Sequence, residues 1–477
     1  MIWLIITLSV LLVNLFLICL MVLFERKKPE FILFWLFVLV FLPILGFLIY
    51  LVLGTTLRRK IRKQIKNKQI SDQKYFVYQN KKLEKDLPDD IYDFVQFLNH
   101  YGAGNCADNS LMSFYTTSYS KIQQLKKDIK NAKKTINIEY YIFKKDKIGR
   151  EILALLCKKA TEGVKVKLIY DAVGSISTPK SFFKKLSKAG GDIVAYFPSA
   201  LGIKFLNTKF NYRNHRKIVV IDGRIAYTGG MNICLDEVKN KQIRPWRDLH
   251  VRIEGNSASL YQNIFLSDYR YCVNDKSLPS TYIYDEDYYP ILPKTNSNFV
   301  SVVASGPDKR LQSIKEIMIK MIYTAKKSIL IQTPYFVPDD TFLTALRQAS
   351  FNGVKVAIML PLKPDRKMMQ QMAFSYANEL IDFKIDFYLY DGFMHSKLIM
   401  IDDKLAMLGS CNMDNRSFSL NFEVNTIFYD ENNLSSLKKI YDDDMKHCFK
   451  AHKSYLRHNM PKSKVGRAFL RLISPLL

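Results

Sequence analysis

The sequence predicts an α/β protein whose two similar halves form a pseudo-dimer, preceded by an α-helical transmembrane hairpin. Three observations carry this prediction: ordered internal matches, alternating helical and β-branched segments in each half, and two long uncharged segments at the amino terminus.

At 477 residues and 48% hydrophobic, the chain is long enough for two or three cored domains, which excludes a disordered or fibrous protein. A formal net charge of +27 favours a polyanionic partner, either nucleic acid or anionic lipid. The seven cysteines include no CxxC pair, so neither a disulfide framework nor a structural zinc site is expected. The seven histidines form no HExxH pair. No metal and no cofactor are therefore expected, and the chemistry must come from side chains.

The amino terminus selects between the two polyanions. Ile2 to Phe24 and Phe31 to Gly54 carry no charge, and each is long enough to cross a bilayer. Residues 1–54 thus read as a hairpin of two transmembrane helices. Residues 55–115 follow as a basic, membrane-proximal linker whose run from Arg58 to Lys68 outnumbers Arg26, Lys27 and Lys28 of the hairpin loop. The positive-inside rule then places the bulk of the chain in the cytoplasm, attached to the plasma membrane as a multi-pass protein. Residues 446–477 mix basic and apolar side chains, the composition of an amphipathic tail at a lipid surface or of a closing helix. Anionic phospholipid and membrane are the expected partners, and nucleic acid is not. Oligomeric state is not readable.

The repeat appears when the chain is compared with itself. Ala132-Lys133-Lys134-Thr135-Ile136 is answered by Ala325-Lys326-Lys327-Ser328-Ile329, and Gly163-Val164-Lys165-Val166 by Gly353-Val354-Lys355-Val356. The alternation of helix and strand around these matches predicts parallel sheet with covering helices over 116–290 and 291–445. Motifs at equivalent positions would then meet at one interface.

The third match carries the chemistry. His215-Arg216-Lys217 is followed by Asp222 and then Gly229-Gly230-Met231-Asn232; His395-Ser396-Lys397 is followed by Asp402 and then Gly409-Ser410-Cys411-Asn412. On a strand, residues two apart share a face, so each histidine lies beside its lysine. Phosphodiester exchange needs a nucleophile, an acid for the leaving oxygen, and positive charge around the non-bridging oxygens. Two His and two Lys supply that set, and Asn232 and Asn412 add donors for the phosphate. A carboxylate on the other imidazole nitrogen would fix the tautomer, and Asp248 and Glu423 are the candidates. Asp222 and Asp402, at the far strand ends, suit a turn or a link between halves better than proton transfer. His100 and His250 are expected to be structural.

These paired motifs resemble those of the phospholipase D superfamily, and the chain as a whole is similar to bacterial cardiolipin synthases. The closer likeness rests on the two leading apolar segments, Ile138-Glu139-Tyr140-Tyr141-Ile142-Phe143, Trp246-Arg247-Asp248, Thr333-Pro334-Tyr335-Phe336 and Asn412-Met413-Asp414-Asn415-Arg416-Ser417. The resemblance implies two phospholipase D-like α/β repeats, with His215, Lys217, Asp222, His395, Lys397 and Asp402 as the catalytic set. It implies a phosphatidyltransferase that passes a phosphatidyl group from one phosphatidylglycerol to another through a covalent phosphohistidine, releasing glycerol, with His215 favoured as nucleophile. Hydrolysis, or transfer to a different alcohol, is the alternative. A departure from the GSxN pattern puts Gly230 where the second half has Ser410.

Overall fold

Two mixed sheets, each with helices on its flanks, are packed face against face in the computed structural model. It describes residues 2–24, 29–42, 45–46, 50, 89–101, 104–198, 211–239, 246–273, 287–290, 292–293, 298–463, 465–466 and 470. The basic run from Arg58 to Lys68, and most of the tail beyond Ser463, lie outside the described residues.

In the first sheet the strands lie in the order Ser110–Tyr115, His250–Gly255, Ile225–Gly229, Lys217–Ile221, Thr135–Tyr140, Lys165–Asp171, Asp192–Tyr196. The second repeats it with Val300–Ser305, Asn421–Phe428, Leu405–Gly409, Leu398–Ile401, Ser328–Gln332, Lys355–Pro361 and Ile385–Tyr390. The internal repeat is thus a repeat of sheet topology. The all-parallel expectation holds for three strands per half, which crossover helices connect. The strand after each HxK and its two successors run antiparallel. The cause is local: a two-residue hairpin turn follows each HxK strand, and such a turn joins only antiparallel strands.

That turn explains Asp222 and Asp402. Asp222 and Gly223 have φ of 51° and 60°, Asp402 and Asp403 of 53° and 55°. The turns close through Arg224 N–H to Ile221 O (3.0 Å) and Lys404 N–H to Ile401 O (2.9 Å). Positive φ at both central positions matches the twist of the flanking strands, and Asp and Gly tolerate it. The Asp222 carboxylate accepts the backbone N–H groups of Lys133, Lys134 and Thr135, and Asp402 those of Lys326, Lys327 and Ser328. Each aspartate pins the start of the neighbouring parallel strand.

Three apolar clusters hold the fold. One fills the first half around Leu125, Ile152 and Leu168, and another the second half around Ile317, Leu346 and Ile358. The third is shared: Tyr196, Val251 and Phe265 from one half pack with Met394, Phe422 and Phe428 from the other. The halves therefore cannot separate without exposing a core.

Two segment boundaries differ from expectation. The end of the expected linker is structured: helix Asp89–Tyr101 buries Phe94 and Leu98 in the second half's core, Gly104–Ala107 extends the second sheet, and Ser110–Tyr115 edges the first. The start of the expected tail is part of the second half, where Cys448–Lys450 adds an edge strand and Leu456 and Met460 enter the core. The expected transmembrane hairpin over 1–54 is not found among the described residues. Among the described residues no helix is long and apolar enough to cross a membrane. The second amino-terminal helix, Pro29–Phe41, ends after 13 residues, roughly 20 Å of rise against a hydrocarbon core of about 30 Å. Pro43 follows in the sequence, outside the described residues. The first, Ile2–Phe24, is uncharged over 23 residues, and many of its side chains fall outside the described set.

Candidate active site

Two short crossed ladders bring the motifs together. Arg213–Asn214, just before His215, pairs in parallel with Asn421–Phe422, just before Glu423. Phe393–Met394, just before His395, pairs in parallel with Trp246–Arg247, just before Asp248. The backbone bonds continue one residue further, from His215 N–H to Phe422 O (2.9 Å) and from His395 N–H to Arg247 O (2.6 Å). Each histidine is thereby docked against the carboxylate of the opposite half.

His215 Nδ1 lies 3.0 Å from both Glu423 oxygens, and His395 Nδ1 lies 2.6 Å from Asp248 Oδ2. Sequence reasoning found both carboxylates but not this exchange, because spacing along one repeat carries no information about pairing across an interface. With Nδ1 held, Nε2 is the free imidazole nitrogen, and neither Nε2 has a hydrogen bond among the described residues. The lysines stand beside them: Lys217 Nζ donates to His215 O at 2.8 Å, and Lys397 Nζ to His395 O.

Lys217, His395 and Lys397 are buried and His215 is partly buried, and desolvation sets their electrostatics. It holds the two imidazoles below their ordinary value, His395 far below. It pushes Lys217 down to about 7, partly offset by Glu423, and also lowers Lys397. Burial raises Asp248 to about 6. Glu423 is held below the usual carboxylate range because His215, Lys217 and Ser410 outweigh its desolvation. Two lysines and two carboxylates thus surround the two imidazoles in a largely desolvated setting. A cation with its value lowered loses its proton as pH rises, so kcat/KM should fall above about pH 7 as free Lys217 becomes neutral. A flat profile of phosphatidyl transfer between about pH 6 and about pH 9 would contradict this assignment.

The halves are not equivalent. Ser410 Oγ donates to Glu423 Oε2 at 2.5 Å, and Asn421 Nδ2 to Oε1 at 3.0 Å. At the matching position, a Cβ on Gly230 would sit 2.1 Å from Asp248 Oδ1. Glycine is required there because the shorter aspartate draws its carboxylate into the space that a serine would fill. We expect Gly230→Ser to displace Asp248, release His395 and lower turnover by at least about 100-fold. Ser410→Gly, which removes the hydroxyl's hydrogen bonds to Glu423 and to the backbone of Val424 without displacing the carboxylate, should cost about fivefold, or ~1 kcal/mol. Comparable losses in the two variants would refute the steric argument.

The other expected residues divide. Asn412 Oδ1 is buried without a partner among the described residues, while Asn232 is engaged: its Nδ2 donates to Glu237 Oε1 at 2.9 Å and its Oδ1 accepts from Ile142 N–H at 3.3 Å. Asp222 and Asp402 are not brought to the histidines. Seven residues of extended chain separate each from its His, on the order of 20 Å. His250 is fully buried in its strand without a hydrogen bond on either ring nitrogen, and burial holds it neutral. Sequence reasoning missed Glu237, which also accepts from Ser118, and Tyr141, whose ring lies edge-on to His215 at 4.9 Å and carries Lys217 Nζ 5.5 Å from its centroid. Position within the tyrosine-rich segment gave no signal for Tyr141, since neighbouring Tyr140 faces the core.

The chain is similar to known proteins over nearly its whole length. Residues 125–266 and 318–446 match the family model described as "Cardiolipin synthase, PLD-like domain". The chain is 38% identical over 481 residues to cardiolipin synthase 2 of Staphylococcus epidermidis, covering 98% of this chain and 97% of that one. It is 39% identical over 464 residues to a cardiolipin synthase of Clostridium perfringens, covering 95% of both. The crystal structure of phosphatidylserine synthase from Haemophilus influenzae superposes with a TM-score of 0.59 at 17% identity, over 81% of this chain and 99% of that one, a likeness of fold.

Proposed function

The chain belongs to the cardiolipin synthase family with phospholipase D-like domains, and is a phosphatidyltransferase; from that premise we propose that it joins two phosphatidylglycerol molecules into cardiolipin and glycerol. The single observation carrying the reading is the crossed arrangement of two His–carboxylate pairs with two lysines.

His215 Nε2 attacks the donor phosphorus, forming a P–N bond as the bond to the departing glycerol breaks. Entry of the anionic phosphate beside His395 raises its proton affinity, and the imidazolium so formed gives its Nε2 proton to the leaving oxygen. The terminal hydroxyl of the second phosphatidylglycerol then attacks phosphorus, its proton passes to His395, and the P–N bond breaks. Lys217, Lys397 and Asn412 balance charge on the non-bridging oxygens. The bidentate contact of Glu423 supports His215 as nucleophile, because a carboxylate across Nδ1–H stabilises the positive charge of the phosphorylated ring. Asp222 and Asp402 act as scaffold, fixing the strands that carry the motifs.

The two amino-terminal helices would attach the enzyme to the membrane, with the catalytic halves on the cytoplasmic side. What supports this is the uncharged sequence, the basic residues that follow it, and the exposure of Leu12, Phe16, Phe37 and Phe41, each 59–65% open. Apolar surface of that kind is costly in water, at about 25 cal/mol per Å².

Incubating the detergent-solubilised protein with labelled phosphatidylglycerol alone tests the function. Cardiolipin with equimolar glycerol is the expected product. Phosphatidic acid as main product would make the enzyme a hydrolase and reject the transferase reading.

A further inference from the structure

Cardiolipin carries two phosphates, and only one of them is at the reacting centre. If the function proposed above holds, the acceptor lipid brings its own phosphate, one glycerol length from the attacking hydroxyl, into the same cleft. That second anion needs a seat.

The cleft offers one beside Tyr141. Tyr141 lies edge-on to His215, and the charges of Asp171, Arg213, Arg416 and Arg366 act on its phenol. Arg213 is buried two residues before His215, in the crossed ladder itself. Arg416 follows Asn412 by four residues, in the short helix Asn415–Ser419. Its hydrogen bonds run to one neutral residue, Asn211, at 2.8 Å to the carbonyl and 3.3 Å to Oδ1. No carboxylate forms an ion pair with it among the described residues. Asp414, the acid whose charge acts on Arg416, caps its own helix through Ser417 N–H (2.7 Å), and Asp171, whose charge acts on Arg213, takes the N–H groups of Val173, Gly174 and Asn214. Burial and the neighbouring Arg213 push the Arg416 guanidinium below its ordinary value. A largely buried guanidinium without a counter-ion, next to another of its kind, is unfavourable in the empty protein and is relieved by an anion.

We propose that Arg416, assisted by Arg213 and by Arg366 at the rim, holds the phosphate of the acceptor lipid while the far hydroxyl of its head group reaches the phosphorus on His215. A planar guanidinium can grip a phosphodiester through two parallel N–H bonds, which fixes orientation as well as position. The site would thus select an anionic alcohol over water or a neutral alcohol.

The test compares two acceptors that share the donor. Full-length enzyme in detergent is assayed for cardiolipin formation from phosphatidylglycerol, and for exchange of labelled glycerol into phosphatidylglycerol, in which the acceptor has no phosphate. In Arg416→Gln the ratio of cardiolipin formation to glycerol exchange should fall by at least about tenfold, and Arg416→Lys, which keeps charge but loses the fork, should lie between. An equal fall in both reactions would make Arg416 a structural or donor-side residue and overturn the proposal. Should Arg416→Gln fail to fold, the wild-type enzyme decides with soluble acceptors. Glycerol phosphate should reach half-maximal transfer at a concentration at least about tenfold below that of glycerol, and parity overturns the proposal. A wild-type enzyme that releases only phosphatidic acid instead rejects the underlying transferase function, and the acceptor site with it.

Discussion

Replacing His215 with alanine should abolish transfer, by a factor on the order of 10⁴ to 10⁶, while leaving the fold intact. The ring is partly exposed and outside the apolar clusters, so the truncation opens little of the core. His395→Ala should be as inactive on phosphatidylglycerol, but for a different reason. Its loss removes the proton for the leaving glycerol, and a donor whose leaving group needs no proton, such as a nitrophenyl phosphatidyl ester, should restore the first step and let the phosphorylated enzyme accumulate. The His215 variant should yield no phosphoenzyme from either donor. Labelled donor followed by rapid quench and gel separation measures this directly. If His215→Ala still forms phosphoenzyme, the assignment of nucleophile is reversed.

The carboxylates give the second large effect. Because His215 is held by Glu423 and His395 by Asp248, Glu423→Gln should behave like the His215 variant and Asp248→Asn like the His395 variant, each down by about 10³ to 10⁴. In each case a neutral amide at Nδ1 no longer secures the tautomer or stabilises the charged ring. The activated donor sharpens the comparison, since it should rescue Asp248→Asn and not Glu423→Gln. The opposite pattern would mean that each histidine works with the carboxylate of its own half, and the crossed geometry would then have no functional meaning. Taken with the shared core, the crossed pairs also explain why neither half is complete as an enzyme: a single half has a histidine but not the acid that orients it.

The asymmetry between the pairs follows from one methylene. Glu423 reaches His215 with both oxygens and leaves room for Ser410, whereas Asp248 is shorter, lies 2.6 Å from His395 and tolerates only Gly230 beside it. The departure from GSxN in the first half is thus a packing consequence of aspartate.

Much was legible in the chain itself. The two HxK motifs, their glycine-asparagine extensions and the carboxylates Asp248 and Glu423 are local patterns, and β-branched alternation is enough to put His and Lys on one side of a strand. The hairpin position of Asp222 and Asp402 was legible for the same reason, since Asp-Gly and Asp-Asp favour the positive φ that the turn needs. The amino-terminal hairpin shows the limit of such reading: apolar length suggested two crossing helices, and the second stops at Phe41, just before a proline.

Sequence by itself determined the repeat and the candidate reacting groups, because each depends on residues close together in the chain; for Asp222 and Asp402 it gave a structural reading from position and a catalytic one from resemblance, and the structure places both carboxylates on backbone N–H groups at the turns. Tertiary structure alone decided which carboxylate serves which histidine, that Tyr141 flanks the site, that Asn232 is tied to Glu237, and that Arg416 forms no ion pair among the described residues. Those contacts join residues up to 208 positions apart, His215 and Glu423 the farthest. Pairing across an interface depends on how the two sheets dock, and docking is set by the shared apolar core rather than by any local pattern.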